Sequence, residues 1–386
     1  MPVRSVPVGA AHRGGLKVNE LSSYTDKIRV CFIIPEFSYG GAQKQCIFLL
    51  NALQLRDDVE VTLIRFRPGP LDYLLRLDRL QIKYVDVSSN YDLRVIFAVR
   101  RIVSESEADV IISWLRVSDV YSYFVRLLRP GLKWIMTQRN SRPADSWLRP
   151  VRNILGRRAD AIAANSPGGV SYWERRNARG PLYLVNNIAS SNADERPERA
   201  DQSVLYVGRL EQQKNVLTLV EAFVLTVKRY PDAKVWVCGD GSLRREMEAI
   251  VAEHGVRDRI EFLGFRTDAI EWMSRAKILV SLSDHEGMPN VLMEAVGAGC
   301  VVIASHIPEH VDFLGAGYPL LVRNHHDAGE VGDVIEQALT SPYRVGDFDH
   351  ARKQLACMKP ATVAESYMNI FRRTLAGDLT QGAPDV

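Results

Sequence analysis

Short apolar runs alternate with amphipathic stretches along this chain, and the whole alternation occurs twice. In the first half the runs are IRVCFIIP (28–35), VEVTLI (59–64), ADVIIS (108–113), KWIMT (133–137) and DAIAAN (160–165). In the second half they are SVLYVG (203–208), AKVWVCG (233–239), RIEFLG (259–264), KILVSLS (277–283) and CVVIAS (300–305). Apolar runs of this length are strands buried on both faces, and strands separated by helices form parallel sheets. The predicted fold class is α/β, two Rossmann-like domains in tandem. At 386 residues the chain is too long for one ordinary core, which agrees with two. The polar stretch Asn186–Gln202 reads as the linker. The predicted organisation is a flexible tail (1–27), a first domain (28–190), a second (191–360), a helix crossing back to the first domain (361–376) and a flexible tail (377–386). Open α/β sheets bind ligands beyond the carboxyl ends of their strands, so two facing domains make a cleft.

Composition excludes several classes. Charged residues at 25% and hydrophobics at 46% are ordinary globular values. No apolar run approaches the roughly 18–20 residues that span a bilayer, and the opening segment lacks the apolar stretch of a secretory signal. Five cysteines are scattered without a CxxC pair, so a reducing compartment and a cytoplasmic location are expected; the basic aromatic stretch from Arg116 to Arg179 adds the expectation of peripheral attachment to the inner face of the plasma membrane. No structural zinc site is expected, and His325-His326 reads as an isolated pair in a loop. Between Arg116 and Arg179 there are thirteen basic residues against four acidic ones. Trp114, Tyr121, Tyr123, Phe124, Trp134 and Trp147 are interleaved with them. This is either a solvated basic surface over core aromatics or a surface that attracts anionic lipid or a phosphate-bearing acceptor. No nucleic-acid module is present, so nucleic acid is not an expected partner.

The strongest chemical signal lies in the second half. From Gly287 to Pro308 the only formally charged side chain is Glu294, set in an apolar helical stretch. Charged groups are rarely buried without a partner, so Glu294 must answer to something polar. Eight positions earlier, Glu286 ends the KILVSLS strand region, and Pro289 suits the first helical turn that follows. A helix N-terminus between two carboxylates suits a ligand carrying both phosphates and hydroxyls. Arg209 and Lys214 follow the SVLYVG strand, where an Arg fork and a Lys point charge suit a diphosphate. Gly40-Gly41 and Gly239-Asp240-Gly241 mark further strand-to-helix turns, each weak alone. Ser242 is placed to cap the helix after the second of these.

Taken in order, VGRLEQQKN, GDGSLRREM, FLG and SLSDHEGMPNVLMEAVGAG resemble the group 1 glycosyltransferases (glycosyltransferase family 4), whose fold is GT-B. The resemblance is dense over Val204–Leu321 and looser in PEFSYGGAQ and ANS of the first half. It implies that Arg209 and Lys214 hold the diphosphate of a nucleotide-sugar and that Glu294 holds the ribose hydroxyls. Glu286 would then sit beside the transferred sugar. The backbone of Gly287, Met288 and Pro289, with Asn290, would touch sugar or phosphate, and Gly239, Gly264 and Phe265 would line the base. Gly40, Gly41, Gln138 and Arg139 fall on the acceptor side. The implied reaction retains anomeric configuration, with a UDP-sugar as substrate; no obligatory metal is expected, since no DxD signature appears in the cleft segments. The implied acceptor is a glycan or a polyprenyl-diphosphate-linked sugar of surface polysaccharide biosynthesis, handled at an anionic membrane surface.

One departure stands out. Many members of the resembled family carry a histidine in the first domain near the donor sugar, whereas here no histidine occurs between His12 and His254. Gln138, Arg139 and Asn140 occupy the matching strand end, and His285 is a weaker substitute. The alternative reading is therefore an inactive nucleotide-sugar-binding subunit of a glycan assembly complex. A nicotinamide dehydrogenase fits badly because no GxGxxG follows a strand.

Overall fold

The structure is a computed structural model that describes residues 27–87, 92–140, 148–189, 202–341 and 348–378. Most of both expected tails, most of the expected linker, and Arg142, Asp145 and Trp147 lie outside the described residues. The first half contains β1 (Ile28–Ile34), α1 (Gly41–Leu53), β2 (Val59–Arg65), β3 (Leu80–Tyr84), α2 (Arg94–Glu105), β4 (Val110–Ser113), α3 (Arg116–Leu128), β5 (Lys133–Gln138), α4 (Leu148–Gly156), β6 (Ala161–Ala164), α5 (Pro167–Glu174) and β7 (Leu182–Leu184). Its strands form one seven-stranded sheet in the order β3-β2-β1-β4-β5-β6-β7, and each recorded pairing is parallel.

The second half contains β8 (Ser203–Val207), α6 (Val216–Arg229), β9 (Lys234–Cys238), α7 (Arg244–Glu253), β10 (Ile260–Gly264), α8 (Ala269–Arg275), β11 (Ile278–Ser281), α9 (Asn290–Gly297), β12 (Val301–Ser305), α10 (Pro308–Leu314), β13 (Leu321–Val322), α11 (Ala328–Thr340), α12 (Asp349–Ala356) and α13 (Pro360–Ala376). Its six-stranded sheet runs β10-β9-β8-β11-β12-β13, again in parallel. In both sheets the order reverses beside the first strand, between β1 and β4 and between β8 and β11. Such a switch point opens a crevice at the carboxyl ends of the strands.

The apolar runs follow from burial on two sides. In β1, Ile28, Val30, Phe32 and Ile34 join one core cluster while Cys31 and Ile33 join the cluster on the opposite face. The one charged residue of the strand, Arg29, is half-buried near its start and pairs with Glu107 and Asp109. The helix α13 packs Val363, Tyr367, Met368 and Phe371 into the first of these clusters. Ion pairs Arg56–Glu365 at 2.7 Å and Arg372–Asp58 at 2.6 Å fasten its outer side. The last described helix thus packs on the first domain.

Two local expectations change. Ser242 does not cap α7, because its hydroxyl donates to Glu211 at 2.8 Å and the helix begins two residues later. Pro289 stands just before the first residue of α9 rather than inside its first turn. The basic aromatic stretch also resolves. Trp114, Tyr121, Tyr123 and Trp134 are buried core residues, and Arg126 and Arg152 are paired with Asp160 and Asp119.

Candidate active site

The chain after β8 turns sharply at Asn215, which adopts a left-handed conformation with φ +49°; Asn tolerates this region better than most residues. The turn holds Lys214 against Glu286, which arrives from the loop after β11, and the two carry an ion pair. Glu286 also accepts from Ser283 Oγ at 2.7 Å. Burial works against its charge, but Lys214, Ser283 and His310 together outweigh burial and hold its carboxyl below the ordinary 4.5. His310 lies beneath. It is fully buried, bonded through Nδ1 to the Ser305 carbonyl at 2.9 Å, with Nε2 unpartnered among the described residues. Burial pulls its pKa from 6.5 down to about 4, so at neutral pH it is uncharged.

Arg209 is exposed and donates to Gln213 at 3.3 Å. With Lys214, Glu286, Gly287, Met288, Pro289 and Asn290 it lines one side of a 260 Å³ cavity between the two halves. Gly40, Gly41, Ala42, Gln45, Arg139, Asn140, Asn165 and Asn187 line the other side. The two walls touch closely. A Cβ on Gly287 would lie 2.5 Å from the Arg139 carbonyl, so only glycine permits this approach. Asn187 Nδ2 donates to Asn290 Oδ1 at 2.7 Å, and Tyr39 stacks on Phe265 with ring centroids 3.8 Å apart.

Glu294 is buried and has the polar partner its setting demanded. Lys44 Nζ, on α1, donates to Glu294 Oε1 at 2.6 Å. Each is the only charged residue of its helix, α1 reading GAQKQCIFLLNAL and α9 reading NVLMEAVG. The reading of Glu294 from sequence found the need for a partner but missed Lys44, whose own isolation in α1 was the available signal. Glu294 Oε2 has no partner among the described residues. Gln45 was likewise missed. It donates to the Ile188 carbonyl at 2.9 Å and to Asn290 at 3.3 Å, tying α1 to both halves.

The remaining predicted residues separate into groups. Gly239 and Gly264 end β9 and β10, with Gly239 N donating to the Gly264 carbonyl at 2.7 Å. A Cβ on Gly239 would meet the Gly208 carbonyl oxygen at 1.8 Å, so that approach also requires glycine. These two and Phe265 stand outside the lining of the 260 Å³ cavity. Gln138 and Arg139 line a second cavity of 490 Å³ in the first half, together with Glu36, Ser38, Gln43, Arg67, Arg116 and Arg152. The Gln138 amide is committed, accepting from Arg152 at 2.8 Å and from Trp173 at 3.1 Å. Arg139 turns its guanidinium over Trp114 at 4.0 Å, with Nε and Nη1 buried and unpartnered among the described residues. Burial lowers its pKa against the opposing influence of Tyr367. His285 lies outside both linings, its Nδ1 buried without a partner among the described residues.

Ala42, Arg139 and Asn140 line both cavities, so the two spaces adjoin. One wall offers cations and a carboxylate, and the neighbouring space is rimmed by arginines and polar groups. Chemically this suits an anionic, hydroxylated ligand held next to a second substrate.

Comparisons with known proteins agree with that geometry. Residues 189–355 match the family of glycosyl transferases group 1. The chain is 26% identical over 352 residues to the GalNAc-alpha-(1->4)-GalNAc-alpha-(1->3)-diNAcBac-PP-undecaprenol alpha-1,4-N-acetyl-D-galactosaminyltransferase of Campylobacter jejuni, covering 85% of this chain and 91% of that one. It is 24% identical to the lipopolysaccharide core biosynthesis glycosyltransferase LpsE of Rhizobium meliloti, covering 77% and 85%. Among solved structures, Anabaena Alr3699/HepE in complex with UDP and glucose superposes with a TM-score of 0.75 at 16% identity, covering 89% and 99%. WaaG, a glycosyltransferase involved in lipopolysaccharide biosynthesis, gives 0.71 at 17% identity, covering 89% and 99%. The second half of the chain thus matches the group 1 glycosyltransferases, and the two halves together have the GT-B fold.

Proposed function

We propose that this enzyme transfers a sugar from a UDP-linked donor, with retention of configuration, to a glycan or polyprenyl-diphosphate-linked acceptor of a surface polysaccharide. The reading rests on one observation above all: Arg209, Lys214 and Glu286 share a cavity that adjoins a second, arginine-rimmed cavity. Arg209 and Lys214 take the donor diphosphate and stabilise the charge that grows on it as the glycosidic bond breaks. Glu286 positions the sugar. Glu294 stands outside the lining of the 260 Å³ cavity; its Oε2 is the atom assigned to the ribose hydroxyls, Oε1 being held by Lys44. The leaving diphosphate takes the acceptor proton on the face it departs from, so no covalent nucleophile is needed. With two cations facing the diphosphate, the transfer step needs no metal ion.

The acceptor is assigned to the 490 Å³ cavity. The names of the relatives support a lipid-linked glycan. Peripheral docking at an anionic membrane is supported by exposed Phe124, Leu127, Leu128 and Ile154 on α3 and α4, with exposed Arg149 and Arg157 beside them. No helix among the described residues is long and apolar enough to cross a membrane.

Thermal shift with UDP, GDP and ADP, followed by sugar conjugates of the best nucleotide, tests the donor assignment. UDP should raise the melting temperature most, and its cognate sugar conjugate should be hydrolysed or transferred with the anomeric configuration kept. A preference for GDP or ADP would overturn the donor, and an inverted product would overturn retention.

A further inference from the structure

Outside the cleft, the loop after β11 and the loop before α11 bring together Asp284, His325 and His326. Nε2 of His325 lies 3.0 Å and Nε2 of His326 lies 3.2 Å from the same oxygen, Asp284 Oδ1. The three atoms all fall within 4.8 Å of one another. Around a four-coordinate ion with bonds of about 2.0–2.1 Å, ligand atoms stand roughly 3.3–3.4 Å apart. The two separations to Asp284 are close to that value. We propose that Asp284, His325 and His326 bind a divalent transition-metal ion. Two imidazoles and one carboxylate suit zinc, cobalt, nickel or copper, whereas magnesium and calcium prefer all-oxygen sets.

The backbone is held independently of any ion. Asp327 caps α11 by accepting from the Gly329 and Glu330 amides, which places the two histidines just ahead of the helix. Asn215 Nδ2 donates to the His325 carbonyl at 2.6 Å, and the Asp284 amide donates to the Gln213 carbonyl at 3.0 Å. An ion here ties the loop of Asp284, which leads to Glu286, to the segment of His325 and, through Asn215, to Lys214. Its role is to brace the donor side of the cleft. The His326 side chain is 60% exposed, which leaves a path for the ion and a free position for water. This inference does not depend on which sugar is transferred.

The test uses the full chain without a polyhistidine tag, stripped with a chelator and titrated with Zn²⁺ by calorimetry and with Co²⁺ by visible absorption. The expected result is one ion per chain, the intense visible bands of four-coordinate cobalt, and a higher melting temperature on metal addition. His326→Gln changes a mostly exposed ring and should fold normally, and it should weaken binding at least tenfold. Asp284→Asn should do the same. Absence of stoichiometric binding to the wild type would overturn the proposal. So would unchanged affinity in both variants, which would place the ion elsewhere, such as at the exposed Cys357.

Discussion

Replacing Lys214 by methionine separates the structural and chemical roles of one ammonium group. Lys214 and Glu286 side chains are 17% and 14% exposed, so removing the cation leaves a nearly buried carboxylate that still accepts from Ser283. Breaking a fully buried pair from one side costs about 3–5 kcal/mol. Partial exposure and the Ser283 bond reduce this to about 2–3 kcal/mol. For a domain of this size each kcal/mol lowers the melting temperature by about 2–4 °C, so the second domain should lose roughly 4–12 °C. Turnover should fall separately, by about 10²–10³, as expected for the loss of one charge-stabilising donor. Combining Lys214→Met with Glu286→Gln removes the unpaired charge. The double variant should therefore recover most of the stability and none of the rate. Because Glu286 has a depressed folded pKa, the pair stabilises fully above the ordinary 4.5 and loses its effect as pH falls through the folded value. The gap in melting temperature between wild type and single variant should close below that pH. Differential scanning fluorimetry across pH, with sugar transfer measured at a temperature where all variants are folded, supplies both readouts. A single variant that transfers at the wild-type rate, or a double variant that regains turnover, would refute the diphosphate role.

Two further predictions follow from buried groups. Lys44→Met should loosen the contact between α1 and α9, because the Glu294 side chain at 10% exposure loses its cation; amide hydrogen exchange in both helices should quicken about tenfold, a change of about 1.4 kcal/mol, and unchanged protection would rule out the ion pair as a clasp. His310 stays neutral in the fold down to about pH 4 while the unfolded chain takes up a proton near 6.5. Stability should therefore decline between those values by up to about 3 kcal/mol, and His310→Gln should flatten that stretch of the pH profile. An identical acid slope in the variant would show that another group titrates there.

Most of the legible strands have both faces buried, although the half-buried edge strand β10 was also legible as RIEFLG. β1, β4, β8 and β11 read as unbroken apolar runs because each lies in a sheet interior. The edge strands β3, β7 and β13 went unrecognised. β3 reads LQIKY with most of its side chains exposed or half-exposed, so neither a run nor an alternation marked it. Glu286, Glu294, Arg209 and Lys214 were recognisable because charge in an apolar or strand-end setting is costly without a partner. The partner itself was not recognisable, since Lys44 and Glu294 are separated by 250 residues and nothing local links them.

Local chemistry along the chain determined the α/β class, its tandem repetition, and the family to which the second half belongs. These depend on periodicity, turn residues and motif spacing, all expressed within a few dozen residues. Tertiary structure decided which charges meet: Lys44 with Glu294, Lys214 with Glu286, and two adjacent histidines with Asp284. It also turned Arg139 inward over Trp114 and committed the Gln138 amide to Arg152 and Trp173. Each outcome depends on how two sheets and their crossover helices pack, because the electrostatic cost of a buried charge is set by neighbours that come from distant parts of the chain.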